Sequence, residues 1–158
     1  MKKDYRKINQ AIGNYIAGFT DGEGRFNVSI KKRNDYKNTW KLTASCNISQ
    51  NERHILGLIK KTIGCGTLRE RKDGVVYYEV TNITSLYENV LPFFERFSFL
   101  SQKKKKNFAI FRQIVRKMYN KEHFSKEGMR EILELREKLN AGIGRKRKYT
   151  LQDVITEK

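Results

Sequence analysis

Two runs of alternating character constrain this chain more than anything else in it. Phe26, Val28 and Ile30 are apolar at even positions, while Arg25, Asn27, Ser29, Lys31 and Arg33 are polar at odd ones. A period of two is a strand with one buried face and one hydrogen-bonding face. The turn-rich stretch Asn34-Asp35-Tyr36-Lys37-Asn38 follows, and the alternation then resumes. Leu42, Ala44, Cys46 and Ile48 take one side, and Lys41, Thr43, Ser45 and Asn47 the other. A slip of one residue would turn a whole apolar set to water, so the sequence predicts a hairpin whose polar sets share a face. That face has an unusual make-up, because Asp35 in the turn is the only acid between residues 25 and 50. A merely solvated sheet face would carry glutamates among its lysines. Arg, Lys, Asn, Ser and Thr alone are the donors that reach base edges and phosphates.

The rest of the composition agrees with a polyanionic partner. The 158 residues hold 34 Lys plus Arg against 17 Asp plus Glu, a net charge of +17. Nucleic acid is the first candidate and an anionic membrane surface the second. Ribosomal-type binders share such a balance, so charge alone does not separate an enzyme from a binder. No apolar run approaches the roughly 18 residues of a membrane-spanning helix, and the opening MKKDYRKINQ lacks the apolar core of a signal peptide. Two cysteines, Cys46 and Cys65, do not make a disulfide scaffold, and with only His54 and His123 beside them a zinc site is not expected. The expectation is an intracellular, reducing compartment, either a bacterial or archaeal cytoplasm or an organelle.

Ahead of the hairpin lies Ala11-Ile12-Gly13-Asn14-Tyr15-Ile16-Ala17-Gly18-Phe19-Thr20-Asp21-Gly22-Glu23-Gly24. Counted by fours, Asn14, Gly18 and Gly22 stack on one side of a helix, with Gly13, Ala17 and Asp21 beside them. Glycine inside a helix costs roughly 1 kcal/mol against alanine, and the usual return is close approach of a second backbone. Asp21 and Glu23 bracket Gly22 at the helix end, where the dipole already disfavours acids unless a cation neutralises them. Two readings stand: a site for a hard cation such as Mg²⁺, or a solvated acidic helix end. An EF-hand loop is excluded, since Phe26 and Lys32 occupy the sixth and twelfth places from Asp21.

Beyond the first hairpin, Ile55, Leu56, Ile59 and Ile63 line one helix face between a cap at Asn51 and a stop at Gly64. A second hairpin opens at Gly64-Cys65-Gly66 and turns at Asp73-Gly74. Arg69 and Arg71 share a face of it, with Tyr77 on the returning strand, placed like the basic face of the first hairpin. Pro92 should break or restart the next helix, and Phe93, Phe94, Phe97, Phe99 and Leu100 read as core. The run Gln102-Lys103-Lys104-Lys105-Lys106 leads a helix with Phe108, Phe111, Val115 and Met118 inward. Ser125 opens another helix, and the tail Arg145, Lys146, Arg147 and Lys148 reads as a basic arm on phosphate backbone, with Thr150 capping a last turn.

Read as I-A-G-F-T-D-G-E-G, Ile16 to Gly24 closely resembles the signature of the LAGLIDADG homing endonucleases. The motif occurs once, which resembles the branch that works as a homodimer. The resemblance implies an α+β fold with an αββαββα core over about residues 10–120, its antiparallel sheet forming a DNA-binding saddle. C-terminal helices and a basic tail would follow over about 121–158, all within a single domain. It implies that Gly18, Asp21 and Gly22 lie at the helix interface, and that Glu23, with Gly22 beside it, holds Mg²⁺ or another divalent cation. Gln50 matches the polar residue at the end of the second strand. A lysine should sit beside the reacting phosphate, with Lys103 the first choice and Lys104 the second.

One motif acid per chain becomes a pair of carboxylates only in a dimer, which is what metal-assisted phosphodiester hydrolysis uses. Strands of about ten residues span roughly 30 Å, on the order of nine base pairs per copy. The expected activity is therefore site-specific cleavage of a long, near-palindromic double-stranded DNA target. Two rivals share the scaffold: an RNA-splicing maturase with intron RNA as partner, and a non-catalytic DNA-binding regulator. An acid facing phosphate has no use in a pure binder, which favours catalysis over the regulator.

Overall fold

A computed structural model describes residues 3–34, 39–141 and 147–155. After a short turn at Tyr5–Lys7, α1 (Gln10–Glu23) runs into β1 (Gly24–Lys32), and β2 (Trp40–Gln50) returns beside it. Then come α2 (Arg53–Ile63), β3 (Thr67–Glu70) and β4 (Val76–Val80). The four strands form one antiparallel sheet in the order β1-β2-β4-β3. The remaining chain is helical: α3 (Ile83–Ser85), a π turn (Leu86–Val90), α4 (Leu91–Arg96), α5 (Gln102–Tyr119), α6 (Lys126–Lys138) and α7 (Leu151–Ile155). This is the mixed α+β architecture expected, and no described helix is long and apolar enough to cross a membrane.

The alternation decides which face the helices cover. Phe26, Val28, Ile30, Leu42, Ala44, Cys46, Ile48, Val76, Tyr78 and Val80 are all buried beneath them. Phe26 sits at the centre, its ring 4.9 Å from Phe111, 5.5 Å from Phe108, 5.8 Å from Phe99 and 6.0 Å from Phe94. Such edge and tilted pairs add to the area each ring removes from water. Leu100 departs from the expected core cluster: it is 85% exposed, because Phe99 fills the last place on the apolar side and the chain turns outward after it.

Local chemistry explains the helix ends. Asn9, Asn82, Ser101 and Ser125 each cap a helix by accepting from a backbone N–H of the first turn. The cap of α2 is Glu52 rather than Asn51, with no side-chain bond; Gly64 ends that helix in the left-handed region at φ 93°. Pro92 does not break its helix. The Leu91 N–H donates five residues back to Leu86, and the π turn brings Pro92 into the first turn of α4, where a missing N–H costs least. Gly13 pays its way inside the chain: a Cβ there would overlap the Phe97 ring, so α1 approaches α4 closely through this residue.

β1 is an edge strand, and its outward carbonyls are covered by side chains from the C-terminal helices. Lys104 donates to the carbonyl of Gly24, Asn140 to that of Phe26 at 2.7 Å, and Arg136 to that of Val28 at 2.7 Å. Arg136 also donates to the Tyr149 carbonyl at 3.0 Å and is only 4% exposed. Burial, with repulsion from Arg147, lowers the Arg136 pKa to about 10. Replacing Arg136 by Met leaves two buried acceptors unpaired, so we expect a loss of about 2 kcal/mol of stability, measured by urea denaturation; an unchanged midpoint would show that these bonds carry no weight.

Candidate nucleic-acid interface and active centre

The odd residues of all four strands share the face that the helices leave open. The register sets Arg25 opposite Asn47, Asn27 opposite Ser45, Ser29 opposite Thr43 and Lys31 opposite Lys41. Arg25, Ser29 and Lys31 are exposed, and Asn27, Lys41, Thr43, Ser45 and Asn47 are half-buried. Lys31 and Lys41 are like charges directly across an antiparallel pair, an arrangement that costs stability unless an anion lies over it. The Oδ1 of Asn47 is buried and without a partner among the described residues. Arg33 lies just past the end of β1, where its N–H donates to the Thr39 carbonyl at 2.6 Å.

The second hairpin is less freely basic than its sequence suggested. Arg69 donates to Glu79 at 3.0 Å, and Arg71 pairs with Asp73 at 3.0 Å and with the Tyr77 hydroxyl. Glu79, opposite Asn47, places an acid on the polar face. In the tail, Arg145 and Lys146 lie outside the described residues. Arg147 is not part of a free basic arm. Its guanidinium turns inward to the Leu139 carbonyl, and burial lowers its pKa. Lys148 is exposed, beside the Tyr149 ring at 5.3 Å.

At one end of this face α1 delivers its acids. Glu23 is exposed and has no hydrogen-bond or ion-pair partner among the described residues. Asp21 is occupied within its own chain. Its carboxylate accepts from the N–H groups of Leu100 and Ser101 at 3.1 and 3.0 Å and from the Ser101 hydroxyl at 2.5 Å. Burial pushes the Asp21 carboxyl up, but the Ser101 and Leu100 bonds with the nearby Lys104 ammonium more than offset that and hold it below its ordinary value. Asp21 thus ties the end of α1 to the start of α5.

Two lysines follow the same tie. Lys103 is exposed, whereas Lys104 is half-buried and reaches the Gly24 carbonyl, one residue from Glu23. Burial lowers the Lys104 pKa, and Asp21 acts against that fall. Gln50 closes β2 at the same end, two residues beyond the Ile48–Gly24 pair, and its Oε1 accepts from the Asn51 N–H at 2.8 Å. Gly18 and Gly22 lie on the outer face of α1, where an added Cβ would meet nothing within 4 Å.

Following the Lys104 side chain by ¹³C NMR titration should give a midpoint below the ordinary lysine value. Asp21→Asn should lower it further, because the carboxylate favours the ammonium. A midpoint unmoved by that change would break the proposed coupling.

A family model described as LAGLIDADG endonuclease matches residues 16–115. Among curated relatives, a probable intron-encoded endonuclease of Neurospora crassa is 36% identical over 148 residues, 91% of this chain but 32% of its own. The chain thus spans about a third of that relative's length. Among solved structures, the archaeal intron-encoded homing endonuclease I-Vdi141I complexed with DNA superposes with a TM-score of 0.83 at 30% identity, covering 91% of this chain and 92% of that one. I-SmaMI bound to an uncleaved DNA target in the presence of calcium ions gives a TM-score of 0.80 at 25% identity, covering 96% of this chain and 50% of that one.

Proposed function

Since this chain belongs to the LAGLIDADG endonuclease family, we propose that it is a homing endonuclease. Two copies join along α1 and cut a long, near-palindromic duplex by divalent-cation-dependent hydrolysis. The observation that carries this reading is the placement of Glu23. It is an exposed acid at the end of a basic sheet face, on a helix with an open outer side, with Lys104 turned to the same end.

The outer side of α1 supports the pairing. Ile12 and Tyr15 are 38% and 50% exposed, and Gly18 and Gly22 leave room for a second helix backbone. The superpositions agree with a two-domain working unit, since this chain corresponds to nearly all of one homing endonuclease and to half of another.

Each residue then has a task. β2, at 11 residues, spans roughly 37 Å, on the order of ten base pairs. Arg25, Lys31, Lys41 and Lys148 grip phosphates, while Asn27, Ser29, Thr43, Ser45 and Asn47 face base edges. A hard divalent cation would be held by Glu23, with Gly22 beside it, together with the same pair from a second copy. When bound, a hard divalent cation polarises the scissile phosphate and eases ionisation of the attacking water. Gln50, its oxygen held by the Asn51 N–H, keeps its amide N–H groups for orienting water at the sheet end. Lys104 offsets the charge that builds on the phosphate.

Glu23→Gln should reduce cleavage on the order of a thousand-fold or more while duplex binding holds or tightens, read by gel assays with Mg²⁺. Equal loss of both would mark a structural acid instead. Gly18→Phe, which has room within its own chain, should weaken self-association by about 1–3 kcal/mol in sedimentation; a dimer left intact would place the interface elsewhere.

A further inference from the structure

Asn140, which follows α6, is held on three sides. Its backbone is in the left-handed region at φ 54°, and its N–H donates to the Oδ1 of Asn107 at 3.1 Å. Its side-chain Nδ2 donates to the Phe26 carbonyl at 2.7 Å and lies 3.4 Å from the Oδ1 of Asn27. A backbone carbonyl can only accept, so the amide nitrogen of Asn140, not its oxygen, must face β1. Asn27 then has to present its own oxygen, since the opposite rotamer would set one NH₂ against another. Asn107 is itself 9% exposed, which fixes the arrangement from below.

Asn27 lies on the polar face, opposite Ser45, in the row of side chains available to a duplex. An unconstrained asparagine there would pair with adenine in both senses, accepting from N6 and donating to N7. With one lone pair of its oxygen taken by Asn140, it meets a duplex with two free N–H groups against one remaining lone pair. Guanine offers N7 and O6, acceptors for the N–H groups, while adenine offers N7 alone and its N6 amine would have to share an oxygen already engaged. We infer that Asn140 is a positioning residue that orients Asn27 and biases it toward donating, selecting guanine over adenine at the base pair beneath it. The inference rests on the duplex-binding reading above.

The test is enrichment of bound sequences from a randomised duplex library, which needs no cleavage. Asn27→Ala identifies the position that Asn27 reads. There the unaltered protein should favour guanine over adenine by about fivefold or more. Asn140→Gly keeps the left-handed backbone and removes the amide; it should shift that one position toward adenine and leave the others alone. Asn27→Asp, which still accepts from Asn140 but cannot donate, should lose the guanine preference. A retained guanine preference in Asn140→Gly overturns the inference, as does a uniform loss of affinity at every position, which marks Asn140 as structural support only. If circular dichroism shows that Asn140→Gly unfolds, Asn27→Asp decides: guanine still favoured by that variant overturns the inference. A protein that enriches no sequence overturns the duplex reading itself, an outcome distinct from enrichment with the wrong base.

Discussion

The row of carbonyls along the free side of β1 is the constraint on which this molecule turns. Gly24, Phe26 and Val28 point their oxygens away from β2, and unpaired backbone groups at a sheet edge must find partners or expose a template for another chain. Lys104, Asn140 and Arg136 supply those partners. The three come from the start of α5, from the turn after α6 and from α6 itself. Closing the edge therefore fixes the C-terminal helices against the sheet and brings a lysine to the end where Glu23 emerges.

Two parts of the polypeptide follow different rules as a result. The buried side of the sheet is governed by period and size, with Phe26 ringed by Phe94, Phe99, Phe108 and Phe111. The open side is governed by charge, and its neutral members keep hydrogen-bonding capacity. The Lys31–Lys41 opposition and the buried unpaired oxygen of Asn47 are small defects for a free sheet. They fit a surface meant to be covered by a polyanion.

Much of this could be read from residue order because it is local. Alternation over residues 25–33 and 41–48 placed β1 and β2, and the stretch ending at Glu23 placed α1 with its acids. Asp73-Gly74 announced its turn, with Gly74 at φ 85°. The features that residue order does not show are contacts between distant segments. Asp21 reaches Ser101 across 80 positions and Arg136 reaches Val28 across 108, and no spacing rule signals such a meeting. Lys103 and Lys104 are indistinguishable in a run of four lysines until the cap at Ser101 sets the phase of α5. Arg69 meets Glu79 only once β3 and β4 pair, and Arg71 meets Asp73 only around the turn.

The Asp21–Ser101 tie has a consequence for anyone who reshapes the molecule. It makes the end of one helix and the beginning of another a single rigid fitting, with Lys104 mounted on the far side. A tilt imposed on α1 from outside, however remote its origin, would be geared directly to the cation beside Gly24. Engineering the outer surface of that helix would move the lysine beside Gly24 at the same stroke.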